Sequence, residues 1–338
     1  MTRTILAALT LATAFSAVAQ ERVLNLYSAR HYQTDEALYA NFTKATGIRI
    51  NRIEANDDQL IERVRTEGAN SPADVIMFVD AARLFNAQQA GLFQPIRSAT
   101  LESRIPADLR DATGHWFGFS TRARVIVYNK ASLRPSDVAT YEQLAEPGLK
   151  GRVCTRSGSH PYMLSLVAAM TEHMGEQRAE AWARGVVGNF ARKPVGGDTD
   201  QITAVAAGEC GVALTNTYYL VRLMKSRRPA DRDAIAKVGV VWPNQAGWGT
   251  HTNVSGAGVA RHAPNREAAV RFLEYLASDD AQRYFADGNN EWPTVASVKV
   301  KNDALASLGE FKADNLGAAV YGRLTPVAQR IVDRAGWR

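Results

Sequence analysis

Cysteine is nearly absent from this chain of 338 residues: Cys154 and Cys210 are the only two. A disulfide-dense scaffold is therefore excluded. Runs of like charge are absent too. The densest basic cluster, Lys225-Ser226-Arg227-Arg228, is short and ends at a proline. The net charge of +6, from 40 Lys+Arg against 34 Asp+Glu, is thus scattered, which argues against nucleic acid as a partner. No internal repeat is found. Beyond the first twenty residues no apolar stretch could span the roughly 30 Å of a bilayer core, so the chain is not membrane-embedded. Enzyme signatures are missing as well. There is no G-x-S-x-G elbow and no H-E-x-x-H, and Ser159-His160 lacks a third member, so the sequence does not read as an enzyme. What is present is apolar material: 46% hydrophobic against 22% charged residues is a globular composition. The length suits two lobes, each able to bury its own core.

The first twenty residues read as an address. Arg3 supplies a short positive region, Ile5 to Phe15 an apolar stretch broken only by threonines, and Ala17-Val18-Ala19 a small-x-small cleavage signal before Gln20. The single arginine favours a Sec-type over a twin-arginine signal, and no cysteine follows for lipid attachment. Residues 1–19 are expected to be removed on export, with the bacterial periplasm as the destination. An oxidising compartment permits a Cys154–Cys210 disulfide, which on the chain-entropy model stabilises the fold by roughly 4–5 kcal/mol. The other reading, a thiolate metal site, needs more ligands than two distant cysteines provide.

Strand and helix signals alternate along the mature chain. Val23 to Tyr27, Ile48 to Ile53 and the apolar run Asp74 to Val79 read as strands, with helices over Asp35 to Thr46 and Asp57 to Glu67 between them. Further strands are expected at Ala123 to Tyr128, Gly151 to Thr155, Gly211 to Thr215, Val238 to Trp242 and Gly256 to Ala260. A short helix begins at Tyr141, and helices follow over Tyr162 to Met174, Ile202 to Ala207, Tyr218 to Met224, Asn265 to Ala277 and Asp279 to Ala286. A terminal amphipathic helix spans Pro326 to Ala335. This is the pattern of an α/β protein.

Of eleven tyrosines, most read as packing, such as Tyr39, Tyr128, Tyr275 and Tyr284. Tyr32, Tyr162, Tyr218 and Tyr219 differ, because each lies just past the carboxyl end of an expected strand. In open α/β sheets that edge forms the ligand crevice. Adjacent helical residues diverge by about 100°, so the Tyr218-Tyr219 pair can grip one ligand from two directions. Aromatic faces also suit sugars or organic cations such as a polyamine or thiamine, but those usually require carboxylates, and these motifs carry none. Phenolate is a hard anionic donor whose proton a strongly polarising cation displaces. Fe³⁺ does this, whereas Ca²⁺ and Mg²⁺ prefer carboxylates and carbonyls, and Zn²⁺ prefers His and Cys. The remaining alternative, that these tyrosines are ordinary crevice walls, stays open at this level.

The segments YSARHY (27–32), RVIVYNK (124–130), the span between the cysteines and GECGVALTNTYYLVRLM (208–224) are similar to the ferric-iron-binding periplasmic proteins of bacterial iron ABC transporters, in their Fut/Idi-type, tyrosine-rich branch. The resemblance covers essentially the whole mature chain. It implies a two-lobed α/β solute-binding protein (type II, with transferrin-like lobes) with a hinge and an interlobe cleft. One lobe would comprise residues 20–120 with about 250–300, the other 121–249 with about 301–338. It further implies a monomer that binds Fe³⁺ and hands it to an inner-membrane ABC permease, with carbonate as a possible synergistic anion. Carried over by position, Tyr32, Tyr162, Tyr218 and Tyr219 match the phenolate ligands and His31 an imidazole ligand. Arg122 matches an arginine supporting an anion or the metal shell. Arg222, one turn after Tyr218, is a further supporting candidate. His160, His173, His251 and His262 carry no metal-like spacing and read as surface or loop residues.

Overall fold

The computed structural model describes residues 22–338 except 31, 33 and 315. The export segment and His31 therefore lie outside the described residues. Strand β1 (Val23–Ser28) runs parallel to β2 (Arg49–Glu54) and to β3 (Val75–Phe78). The crossovers are α1 (Asp35–Thr46) and α2 (Asp57–Glu67). Gly47 closes α1 at φ 70°, a left-handed cap that glycine adopts without strain. Asn56 and Gln59 open α2 with a reciprocal capping box. Two helices not foreseen from the sequence follow, α3 (Ala81–Gln89) and α4 (Ala99–Arg104), started by the side chains of Asp80 and Ser98.

Strand β4 (Phe117–Asn129) is twice as long as the apolar run Ala123–Tyr128 suggested. The second half begins with β5 (Val153–Cys154), α5 (Pro161–Met174), α6 (Glu176–Gly188), α7 (Asp198–Ala207), β6 (Val212–Asn216) and α8 (Thr217–Met224). It continues through α9 (Pro229–Lys237), β7 (Val238–Val241) and β8 (Thr250–Val259). The helices α6 and α9 went unread, since each is mostly polar outside one narrow face. The chain ends with α10 (Arg266–Leu276), α11 (Asp279–Asp287), β9 (Trp292–Pro293), α12 (Asp303–Ala306), β10 (Ala313–Asp314) and α13 (Ala318–Ala335). The terminal helix begins eight residues before Pro326, which lies inside it.

The strand order β2-β1-β3-β8-β4-β6-β5 joins two sheet halves through β4 and β8. Phe117 to Ala123 of β4 pair with β8, whereas Arg124 to Asn129 pair with β6 and β7. One strand therefore belongs to both lobes, the connection expected of a hinged pair. Leu26, Phe42, Met77, Phe117 and Phe272 form one core around the first sheet half. Val127, Ile202, Ala213 and Leu220 pack with both cysteines in another. The largest cluster runs through both halves and takes in α13. Cys154 and Cys210 form a disulfide, tying β5 to the turn just before β6.

Candidate metal centre

Each tyrosine is placed by the end of a strand. Tyr32 follows β1. Tyr162 is the second residue of α5, whose start is set by Pro161 and by the His160 ring, which accepts from the Tyr162 amide at 3.2 Å. Tyr218 and Tyr219 are the second and third residues of α8, directly after β6. The structure brings all four together. The Tyr218 hydroxyl donates to the Tyr162 hydroxyl at 3.0 Å, and Tyr32 also hydrogen-bonds to Tyr162. The Tyr32 and Tyr218 ring centroids lie 5.7 Å apart, those of Tyr218 and Tyr219 4.3 Å. Tyr162 and Tyr218 are buried; Tyr32 and Tyr219 are half-buried.

This crowding resists ionisation in the absence of a cation. Burial, then the neighbouring Tyr219, pushes Tyr162 up to about 12, with Arg122 acting in the opposite sense. Burial and neighbouring phenols hold Tyr218 well above its ordinary value, and Tyr32 is raised likewise, with Arg30 opposing. Guanidinium groups ring the cluster. Arg122 and Arg156 lie 5.5 and 5.1 Å from the Tyr162 ring centroid, Arg30 4.6 Å from that of Tyr32, and Arg222 5.4 Å from that of Tyr219. These cations favour phenolate once a metal has displaced the protons. Arg122 Nη1 donates to Ser255 at 3.1 Å, while its buried Nη2 has no hydrogen-bond partner among the described residues.

Arg30 and Arg156 were not singled out from the sequence, although both sit in the strand-to-loop turns that carry the tyrosines. Asp198 was also missed. Fully buried, it accepts from Arg124 at 2.6 Å, from Arg156 at 3.2 Å and from the Asn216 amide at 2.7 Å, so it ties β4, the loop after β5 and the end of β6 together. No local pattern marks such a residue, because its partners come from three distant segments.

Of the four histidines expected at surface or loop positions, His173 and His262 are exposed and His160 caps α5 from the loop before it, whereas His251 corrects the expectation. His251 is buried between Ser165 and Tyr321, at 3.1 Å from each, and burial with nearby arginines drives it down to about 3. His173 bonds Asp314 at 3.0 Å and stacks on Trp248. His160 packs edge-on against Tyr162 at 4.5 Å. Among the described residues, no three His, Cys, Asp or Glu side chains group as a metal cage. The tyrosines are the converging donors. Cavities of about 850 and 610 Å³ flank them, one reaching Tyr162 past Asp57 and His160, the other reaching Tyr32 and Tyr219 past Arg222 and Lys225.

Residues 37–313 match the family model described as bacterial extracellular solute-binding protein. The chain is 50% identical over 319 residues to iron uptake protein A1 of Synechocystis, covering 94% of this chain and 88% of that one. The Trichodesmium protein (IdiA, FutA), solved in complex with iron and citrate ligands, superposes with a TM-score of 0.87 at 53% identity, covering 94% of this chain and all of that one. The chain belongs to the bacterial extracellular solute-binding proteins, in their ferric-iron-binding branch. A third member, the ferric binding protein of Campylobacter jejuni, matches with a TM-score of 0.89 at 38% identity over 93% of this chain and 100% of its own. Within this solute-binding family, the convergence of four phenols between two sheet halves has a ready physical sense: a hinge can assemble and dismantle such a donor set. Among the described residues, no helix is long and apolar enough to cross a membrane.

Proposed function

We infer that this solute-binding protein captures ferric iron in the periplasm and delivers it to an inner-membrane ABC permease, without itself catalysing a reaction. The observation that carries the reading is the convergence of Tyr32, Tyr162, Tyr218 and Tyr219 on one point, in a chain half identical to iron uptake proteins. Phenolate oxygens are hard donors that match a trivalent cation. In this reading Tyr162, Tyr218 and Tyr219 come from the lobe formed by residues 121–249 with 301–338. Tyr32, with His31 beside it, approaches from the lobe of residues 20–120 and 250–300. Closure brings the two sets together; opening at the permease withdraws ligands and frees the metal. Arg122 supports the ionised phenolates, and its unpartnered Nη2 offers a donor to a small anion such as carbonate. Arg222 does the same beside Tyr219. The mature, monomeric chain begins at Gln20 after signal cleavage.

Metal analysis and visible spectroscopy of the loaded protein test this. Phenolate-to-Fe³⁺ charge transfer gives an orange to red colour, and Tyr219→Phe is expected to shift or erase that band. An unaltered spectrum in that variant removes Tyr219 from the site. Calorimetry with spermidine or thiamine in place of iron is expected to give no heat of binding.

A further inference from the structure

Behind Tyr32 lies a buried ion cluster that iron ligation leaves unused. Arg30, 1% exposed, donates from Nε to Asp35 at 2.8 Å and from Nη2 to Glu291 Oε2 at 3.1 Å. Glu291 is completely buried. Its Oε2 also accepts from the Ser120 hydroxyl at 3.0 Å, and its Oε1 has no partner among the described residues. Two carboxylates against one guanidinium, taken out of water, are a costly way to fill space, and an apolar trio would cost less. What the cluster supplies is geometry. The Arg30 guanidinium lies 4.6 Å from the Tyr32 ring centroid and 5.3 Å from that of Phe285.

The turn that carries Glu291 is fixed in its own right. Asn290 takes the left-handed φ of 61°, which Asn tolerates better than most residues, and its Oδ1 accepts from Asn302 at 2.8 Å and from Lys225 at 3.1 Å. Lys225 directly follows α8, the helix of Tyr218 and Tyr219. The same turn is therefore gripped by the Tyr218–Tyr219 helix and grips the arginine over Tyr32.

We propose that Glu291 is a positioning residue for Tyr32: by clamping Arg30 against the ring it fixes where that phenol meets Tyr162 and Tyr218, and keeps a cation over its π face. The proposal rests on Tyr32 being an iron ligand. A guanidinium in that position stabilises phenolate charge and lowers the energy of the donor electrons. Releasing it moves the charge-transfer band to longer wavelength.

The test compares Glu291→Gln, Ser120→Ala and Tyr32→Phe in the full-length mature protein loaded with ferric iron. Glu291→Gln keeps shape but drops one of the two carboxylate charges that hold Arg30, the other being Asp35, which accepts from both Nε and Nη2. The substitution is expected to move the band, as Arg30 loses one of its holders and the Tyr32 phenol loses its fixed place, and to weaken iron binding about tenfold, the lower end of what loss of such a supporting partner costs. Ser120→Ala, which frees the same carboxylate oxygen, is expected to shift the band the same way by less. A band and affinity unchanged in Glu291→Gln, while Tyr32→Phe alters both, overturn the positioning role and leave iron capture standing. No change in Tyr32→Phe instead removes Tyr32 from the site and the proposal with it. A lowered melting temperature with an unmoved band marks a merely structural role and also overturns it. If Glu291→Gln does not fold, Ser120→Ala decides by the same band.

Discussion

Tyr218 donates a 3.0 Å hydrogen bond to Tyr162 across 56 residues of sequence, the same separation that the disulfide between Cys154 and Cys210 closes. Each tyrosine follows its cysteine by eight residues. The cysteines tie β5 to the residues just before β6, its parallel neighbour; α8 follows β6 directly, and α5 follows β5 after a short loop. The disulfide thus stands at the base of the arrangement whose tips are two of the four phenols.

Loss of the disulfide is therefore expected to act on both stability and the site. Cys154→Ser with Cys210→Ser should lower the unfolding free energy by about 4 kcal/mol on the chain-entropy model. Urea denaturation measures this. Iron affinity is expected to fall in parallel, and a double variant that binds iron as tightly as the parent would disconnect the staple from the tyrosines.

Iron affinity is expected to fall as the medium is acidified. Tyr162 is pushed up to about 12, and Tyr32 and Tyr218 are raised with it, so the metal-free phenols carry their protons at neutral pH. Binding must release those protons. Affinity then drops by about tenfold per pH unit for each proton displaced. Competition against a chelator of known pH dependence reads the slope, and an affinity flat from about pH 8 to 5 contradicts phenolate ligation.

His251 sets a pH dependence of folding. Its folded-state pKa of about 3 lies below the ordinary 6.5, so the unfolded chain binds the extra proton first. The stability it contributes is complete above about pH 6.5 and is lost on the way down to pH 3, at up to about 1.4 kcal/mol per unit. Asp57, raised to about 6 by burial and by Asp80, works the other way: its contribution grows as pH falls from about 6 towards 3.8. In His251→Gln only the Asp57 effect remains of this pair. The gap in unfolding free energy between variant and parent should accordingly shrink from pH 7 to pH 4, as measured by denaturant titration at each pH.

Removing Asp198 leaves Arg124 buried without its carboxylate, and Arg156 loses a partner too. Asp198→Ala is expected to cost about 3–5 kcal/mol, the range for breaking a buried pair on one side. Thermal unfolding reports the loss. Removing Arg156 alone, which is less buried, should cost much less.

Much of this was legible along the chain, for physical reasons that are local. The helices Asp35–Thr46 and Asp57–Glu67 announce themselves by caps and periodicity, and the buried strands by apolar runs. The tyrosines stood out because a strand's carboxyl end is a fixed place in an α/β sheet. Helices α6 and α9 did not stand out, since their faces find partners only after folding. Pro326 looked like a beginning and is an interior residue of α13, because packing against both α3 and α5 carries the helix through it.

His251 illustrates the limit most clearly. An isolated histidine in a polar stretch looks solvent-exposed, yet β8 carries it between α5 and α13, where Ser165 and Tyr321 satisfy it. Asp198, Arg30 and Glu291 are similar: each is an ordinary charged residue until remote segments converge on it. Sequence alone determined which residues could supply hard oxygen donors, and at which ends of which strands. Only the tertiary structure decided which charges stand behind them, because a desolvated charge takes its meaning from neighbours that the order of the chain does not reveal.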